Sequence, residues 1–243
     1  MPTPDLATGL LFYFIFVYST VFHEAAHAWA ALRMGDDTAY RGGQVSLDPI
    51  PHIRREPFGM VIVPILSFFL NAFAKPPVLW MMGWASAPYN PEWALRYPRR
   101  SALMALAGPA ANILIVIVCG ILIRVGVENG LFVPPGKYSF GHVVDAVSQN
   151  KGMGLLAIAL SVAFCLNVLL AVFNLLPVPP LDGSASPLLF LKGAAAENYQ
   201  RILWQPAMQF IGIILIFRGV GWLVQPALTW VVNLMYTGIA VYR

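Results

Sequence analysis

The chain has 243 residues, 58% of them hydrophobic and only 11% charged, against about 25% charged in ordinary soluble domains. That balance excludes a soluble globular enzyme and describes an integral membrane protein. The net charge of +4 comes with no basic patch interleaved with aromatics, so it excludes nucleic acid as a partner and reads as arginines in loops on one side of a bilayer.

The amino-terminal Met-Pro-Thr-Pro-Asp-Leu-Ala lacks the positive region of a signal peptide, so the first apolar segment is expected to be retained. Residues 8 to about 33 predict the first spanning helix, ending at Arg33-Met-Gly35, where a basic residue and a glycine mark a carboxyl terminus. Residues 36–57 are polar and rich in glycine and proline, with Arg41, Arg54 and Arg55. They predict a cytoplasmic loop, with Arg41-Gly-Gly-Gln-Val-Ser-Leu47 as a short strand.

Residues 58–74 are apolar, but Lys75-Pro-Pro77 interrupts them, and the stretch from Val78 to Pro88 is too short to span as a helix. Together they predict a hairpin or re-entrant pair whose irregular backbone must be covered by protein. Arg96, Arg99 and Arg100 precede a second span at 101–124, which carries Gly108-Pro-Ala-Ala-Asn112; its small residues suit close helix packing as well as chemistry. Residues 125–151 form a polar loop. A third span, 153–176, leads into Asn174-Leu-Leu-Pro-Val-Pro-Pro-Leu-Asp182-Gly183, where prolines and glycine end the helix and fix a turn. Residues 203–217 and 219–241 predict a closing pair of helices for packing or substrate gating. Cys119 and Cys165 sit singly in apolar segments as small core residues, with neither a disulfide framework nor a CxxC metal site.

With the amino terminus outside, ten of the 15 lysines and arginines fall on the cytoplasmic side and five outside, which satisfies the positive-inside rule. Asp182 then reaches the cytoplasmic half with the end of the first helix only if 58–88 enters and returns.

The chemistry centres on Val21-Phe-His-Glu-Ala-Ala-His-Ala-Trp29. His23 and His27 are four residues apart, about 40° around a helix and ~6 Å along it, so both imidazoles can reach one metal. Glu24 lies roughly 100° round, placed to take a proton from water activated by zinc. A charge at membrane depth costs about 3 kcal/mol on insertion scales, so three ionisable groups within five residues imply function and not chance. Two histidines need a third protein ligand. The candidates are Asp182, Asp48, His52 and Asp145. Asp182 is preferred, because it follows a span at matching depth on a rigid turn, whereas Asp48 and His52 lie in a charged loop.

His23-Glu-Ala-Ala-His27, Gly108-Pro-Ala-Ala-Asn112 and Asn174-Leu-Leu-Pro-Val-Pro-Pro-Leu-Asp182-Gly183 together resemble the site-2 protease family of intramembrane zinc metalloproteases. Leu47-Asp-Pro-Ile-Pro-His-Ile53 and Gly83-Trp-Ala-Ser-Ala-Pro-Tyr-Asn90 resemble the loop signatures of its compact subgroup, which lacks PDZ and CBS domains. Asp48, Ser86 and the inserted Arg54-Arg55 depart from the usual loops, where asparagine and lysine occur at the first two positions. The resemblance covers about residues 20–185. It implies one zinc ion held by His23, His27 and Asp182, Glu24 as catalytic base, and Asn174 with Asn112 supporting substrate or transition state.

The expectation is therefore a single all-α membrane domain over 1–243, multi-pass in the cell membrane. Its core, 8–183, holds three transmembrane helices and the hairpin, followed by two C-terminal helices at 203–241. It should hydrolyse a peptide bond in or near the membrane span of a single-span or membrane-anchored protein substrate, captured by edge pairing near Gly42 to Leu47. The rival readings are an inactive scaffold of the same fold and a metal-ion transporter. Intact Glu24 opposes the first; the absence of acidic residues and histidines in 203–241 opposes the second.

Overall fold

The computed structural model describes residues 6–72 and 81–242, so the Lys75-Pro-Pro77 interruption lies outside the described residues. Helix α1 (Leu6–Arg33), α6 (Pro98–Glu128) and α7 (Lys151–Asn174) are each long and apolar enough to cross a membrane. At 1.5 Å per residue the 28 residues of α1 extend about 42 Å. The three helices pack on one another. Along α6 the side chains of Leu114, Ile117, Ile121 and Leu122 remain exposed, a surface suited to acyl chains, while its Ala102, Ala105 and Asn112 face protein.

Short elements fill the first connection. Thr38–Arg41 (α2) and Pro49–Arg55 (α3) are helical, and Asp48 caps α3 by accepting from Ile50 N at 2.9 Å. The strand expected at Arg41–Leu47 is not found among the described residues. Gly43 turns the chain with φ +76°, the Gln44 amide bonds back to Ala39 O, and the buried Gln44 side chain donates to Ser86 O. Residues 42–47 form turns and bends in place of the expected strand, so the expected peptide-capturing edge is corrected.

The described parts of this segment, 58–72 and 81–88, run in opposite directions along α1. A π-helical turn, Phe58–Ile62, runs into α4 (Val63–Ala72), which climbs α1 toward its amino end: Tyr13 donates to Met60 O, and Phe68 lies against Gly9. Residues 82–90 descend again. Met82 N donates to Ser67 Oγ, Trp84 N to Gly59 O, and Asn90 N to Asp36 Oδ2. The chain thus ends beside the foot of α1, where the short helix α5 (Pro91–Arg96) leads into α6.

Helix α6 runs four residues beyond its expected end. A two-stranded antiparallel hairpin, β1 (Phe132–Val133) with β2 (Asp145–Ala146), follows in the stretch read as a plain loop. After α7 come a 3-10 turn, Asp182–Leu189, an amphipathic helix α8 (Gly193–Leu203), and α9 (Pro206–Met235). The closing pair expected at 203–217 and 219–241 is therefore one continuous 30-residue helix. Pro226 lies inside it, and α8, whose apolar side buries Ala196 and Leu203, was not expected at all.

Candidate metal centre

His23 and His27 lie on the buried face of α1, about three-quarters of the way along it. The turn after α7 carries Asp182 up to them. Its Oδ2 stands 3.1 Å from His23 Nε2 and 3.3 Å from His27 Nε2, and the two imidazole nitrogens are 3.0 Å apart. Among the described residues this is the cluster of three ligand-type side chains that could hold a metal ion.

The other two nitrogens fix what the three atoms offer. His27 Nδ1 is 2.8 Å from Met104 O, and a main-chain carbonyl can only accept, so Nδ1 carries the hydrogen. His23 Nδ1 is 2.6 Å from Asn112 Oδ1 and donates likewise. Both neutral imidazoles therefore turn the lone pair of Nε2 inward, onto a carboxylate oxygen. Three electron-pair donors converging at 3.0–3.3 Å repel one another unless a cation joins them. Donors about 2.0 to 2.1 Å from one tetrahedral ion stand roughly 3.3 Å apart, so the triangle fits zinc.

The motif residues on α6 leave the room. A Cβ at Gly108 would lie 2.3 Å from His27 Nε2 and 2.6 Å from His23 Nε2, so only glycine lets α6 approach the ligand atoms this closely. One turn further, Asn112 reaches His23. Gly183 plays a matching part in the turn: a Cβ there would stand 2.3 Å from Leu175 O, so Asp182-Gly183 can fold back over the end of α7.

Glu24 is buried at 5% exposure beside His23, on the same helix and one residue on. Asn112, expected to support substrate or transition state, lies behind His23 with no exposed surface. The Asn174 amide donates to Leu170 O within its own helix. The rival ligands are engaged elsewhere: Asp48 caps α3, His52 Nε2 meets Ser46 O at 3.0 Å, and Asp145 pairs with His142 at 2.7 Å.

Sequence reasoning missed Asn167. It lies fully buried on α7, and its Oδ1 accepts from Asn112 Nδ2 at 2.8 Å. An amide in the interior of a 24-residue apolar helix was the available signal.

Comparison with known proteins shows the family. The family model for Peptidase family M50 matches residues 11–217. The chain belongs to Peptidase family M50. Among its relatives, "Putative zinc metalloprotease YwhC" of Bacillus subtilis is 30% identical over 169 residues, 69% of this chain and 63% of that protein. "Putative zinc metalloprotease Rip2" of Mycobacterium tuberculosis is 29% identical over 218 residues, 90% of this chain and 68% of that protein. The chain thus spans about two thirds of the length of these M50 relatives. No solved structure matches it. The departures in the M50 loops meet in space: Arg55 Nε donates to Ser86 Oγ at 3.2 Å, and Ser86 Oγ donates to Glu56 Oε1 at 2.5 Å.

Proposed function

We propose that this M50 chain is a zinc-dependent intramembrane endopeptidase that cleaves a peptide bond in or near the membrane span of a protein substrate. The observation that carries the reading is the convergence of His23 Nε2, His27 Nε2 and Asp182 Oδ2 within 3.0–3.3 Å, with both histidines on a helix long and apolar enough to span. His23, His27 and Asp182 would hold one zinc ion. Bound there, zinc would act as a Lewis acid and lower the pKa of water to about 7.

The chain's own residues do the rest. The Glu24 carboxylate takes the proton of the attacking water and passes it to the departing amide nitrogen, so that water and peptide become a carboxyl group and an amine. Met104 O and Asn112 Oδ1 hold the two imidazoles with their lone pairs on the site. Water would enter from the foot of α1, the side that carries Arg54, Arg55, Arg96 and Arg99. That side is the cytoplasm by the positive-inside rule, and the chain is multi-pass in the cell membrane.

A transport path would need further ligand groups beyond this cluster, and among the described residues there is one such cluster. The test is incubation of the purified protein in detergent with single-span peptides, with and without a chelator. Chelator-sensitive cleavage is expected; cleavage untouched by metal removal would overturn the assignment.

A further inference from the structure

We infer that Asn167 is a positioning residue that sets the tautomer and orientation of His23 through Asn112, making α7 a working part of the metal site. The inference rests on the reading of His23 as a metal ligand.

The relay starts at one main-chain atom. Asn167 Nδ2 lies 2.8 Å from Ala163 O, a carbonyl that can only accept, so this end of the amide is the nitrogen. The same nitrogen donates to Ser19 Oγ on α1 at 2.9 Å. Its oxygen must then point the other way, to the Asn112 side chain on α6 at 2.8 Å. Because that oxygen accepts, Asn112 presents Nδ2 to it and Oδ1 to His23 Nδ1 at 2.6 Å. An amide oxygen facing Nδ1 keeps the hydrogen on Nδ1 and frees Nε2 to bind metal.

Each amide along this chain has one allowed orientation, dictated by the Ala163 carbonyl. Without Asn167, Asn112 is free to turn over. It would then offer an N–H to Nδ1, which favours a hydrogen on Nε2, the atom that must carry a lone pair. Asn112 and Asn167 are wholly buried and Ser19 is 4% exposed, so water does not substitute for a missing partner. Ser19 and His23 lie one turn apart on α1, so the relay also joins all three spanning helices around the ligand.

The test uses the full chain in detergent and measures zinc affinity by chelator competition, with the Co2+ ligand-field spectrum as a second readout. Asn167→Leu should weaken zinc binding about 10- to 100-fold, the usual cost of losing such a support, and should alter the Co2+ spectrum while thermal unfolding still reports a folded protein. Asn167→Ala serves the same purpose if leucine prevents folding. The decisive arm is Asn112→Asp in either background. A carboxylate has no N–H to present, so it needs no orienting partner and should restore affinity to within about threefold of wild type. Wild-type affinity in Asn167→Leu or Asn167→Ala, or failure of Asn112→Asp to restore it, overturns the relay. The wild type and His23→Ala separate the underlying reading: zinc retained by His23→Ala would sink the metal site itself, and the relay with it.

Discussion

Gly108 and His27 meet so closely that a Cβ on the glycine would stand 2.3 Å from the imidazole Nε2. Helix α6 therefore forms the wall of the metal centre with bare backbone. Alanine in mid-helix is otherwise favoured over glycine by about 1 kcal/mol. The clash with two buried, hydrogen-bonded rings outweighs that preference, so Gly108→Ala is expected to lower thermal stability and to lower zinc affinity at least about tenfold. Chelator competition beside thermal unfolding measures both. Unchanged affinity would mean that α1 shifts away from α6 freely.

Glu24→Gln keeps the shape of the side chain and removes its ability to accept a proton. Zinc content should remain one per chain, and peptide cleavage should fall by about 10²- to 10⁴-fold. Metal analysis together with product quantification checks it, and near-normal turnover would place the base elsewhere.

Asp182→Asn should lose zinc and cleavage together, since it removes the one anion from the ligand set. Asp48→Asn should leave zinc in place, because Asp48 only caps α3. His52→Ala should also keep zinc while costing stability, as the ring is fully buried and bonded to Ser46 O. Zinc loss in His52→Ala with retention in Asp182→Asn would require a three-histidine site.

The re-entrant path of 58–88 sets which loops share a side. Single cysteines at Asp48, Glu92 and Ala195, all exposed positions, should label from the cytoplasmic side, and one at Ser148, beyond the far ends of α6 and α7, from the other. The native Cys119 and Cys165 are buried and give little background. Labelling of Ala195→Cys from the same side as Ser148→Cys would break the topology.

The spans and the ligand pair were legible because their signals are local: apolar length for α1, α6 and α7, and a four-residue spacing for His23 and His27. Asp182 was legible through parity, since a ligand must emerge at the right depth. Asn112 was seen but set beside substrate, because nothing in Gly108-Pro-Ala-Ala-Asn112 tells which face of α6 meets α1. Asn167 was missed because its role exists only once three helices are assembled. The strand expected at Arg41–Leu47 failed for a related reason. Its partners, Ala39 O and Ser86 O, make a turn where composition alone permits an edge. The meeting of Arg55 with Ser86, 31 residues apart, likewise joins two loop departures that look independent along the chain.

A Cβ at Gly212 would fall 1.5 Å from Pro179 O. Helix α9 therefore rests backbone to backbone on the turn that presents Asp182, and neither surface can yield a side chain's width. Mechanically the proposed third ligand, Asp182, is clamped between α7, which launches it, and α9, which backs it. The catalytic unit consequently does not stop at its final motif. A chain cut after Gly183 would retain His23, Glu24, His27 and Asp182, yet would lack the buttress that keeps Asp182 at its post.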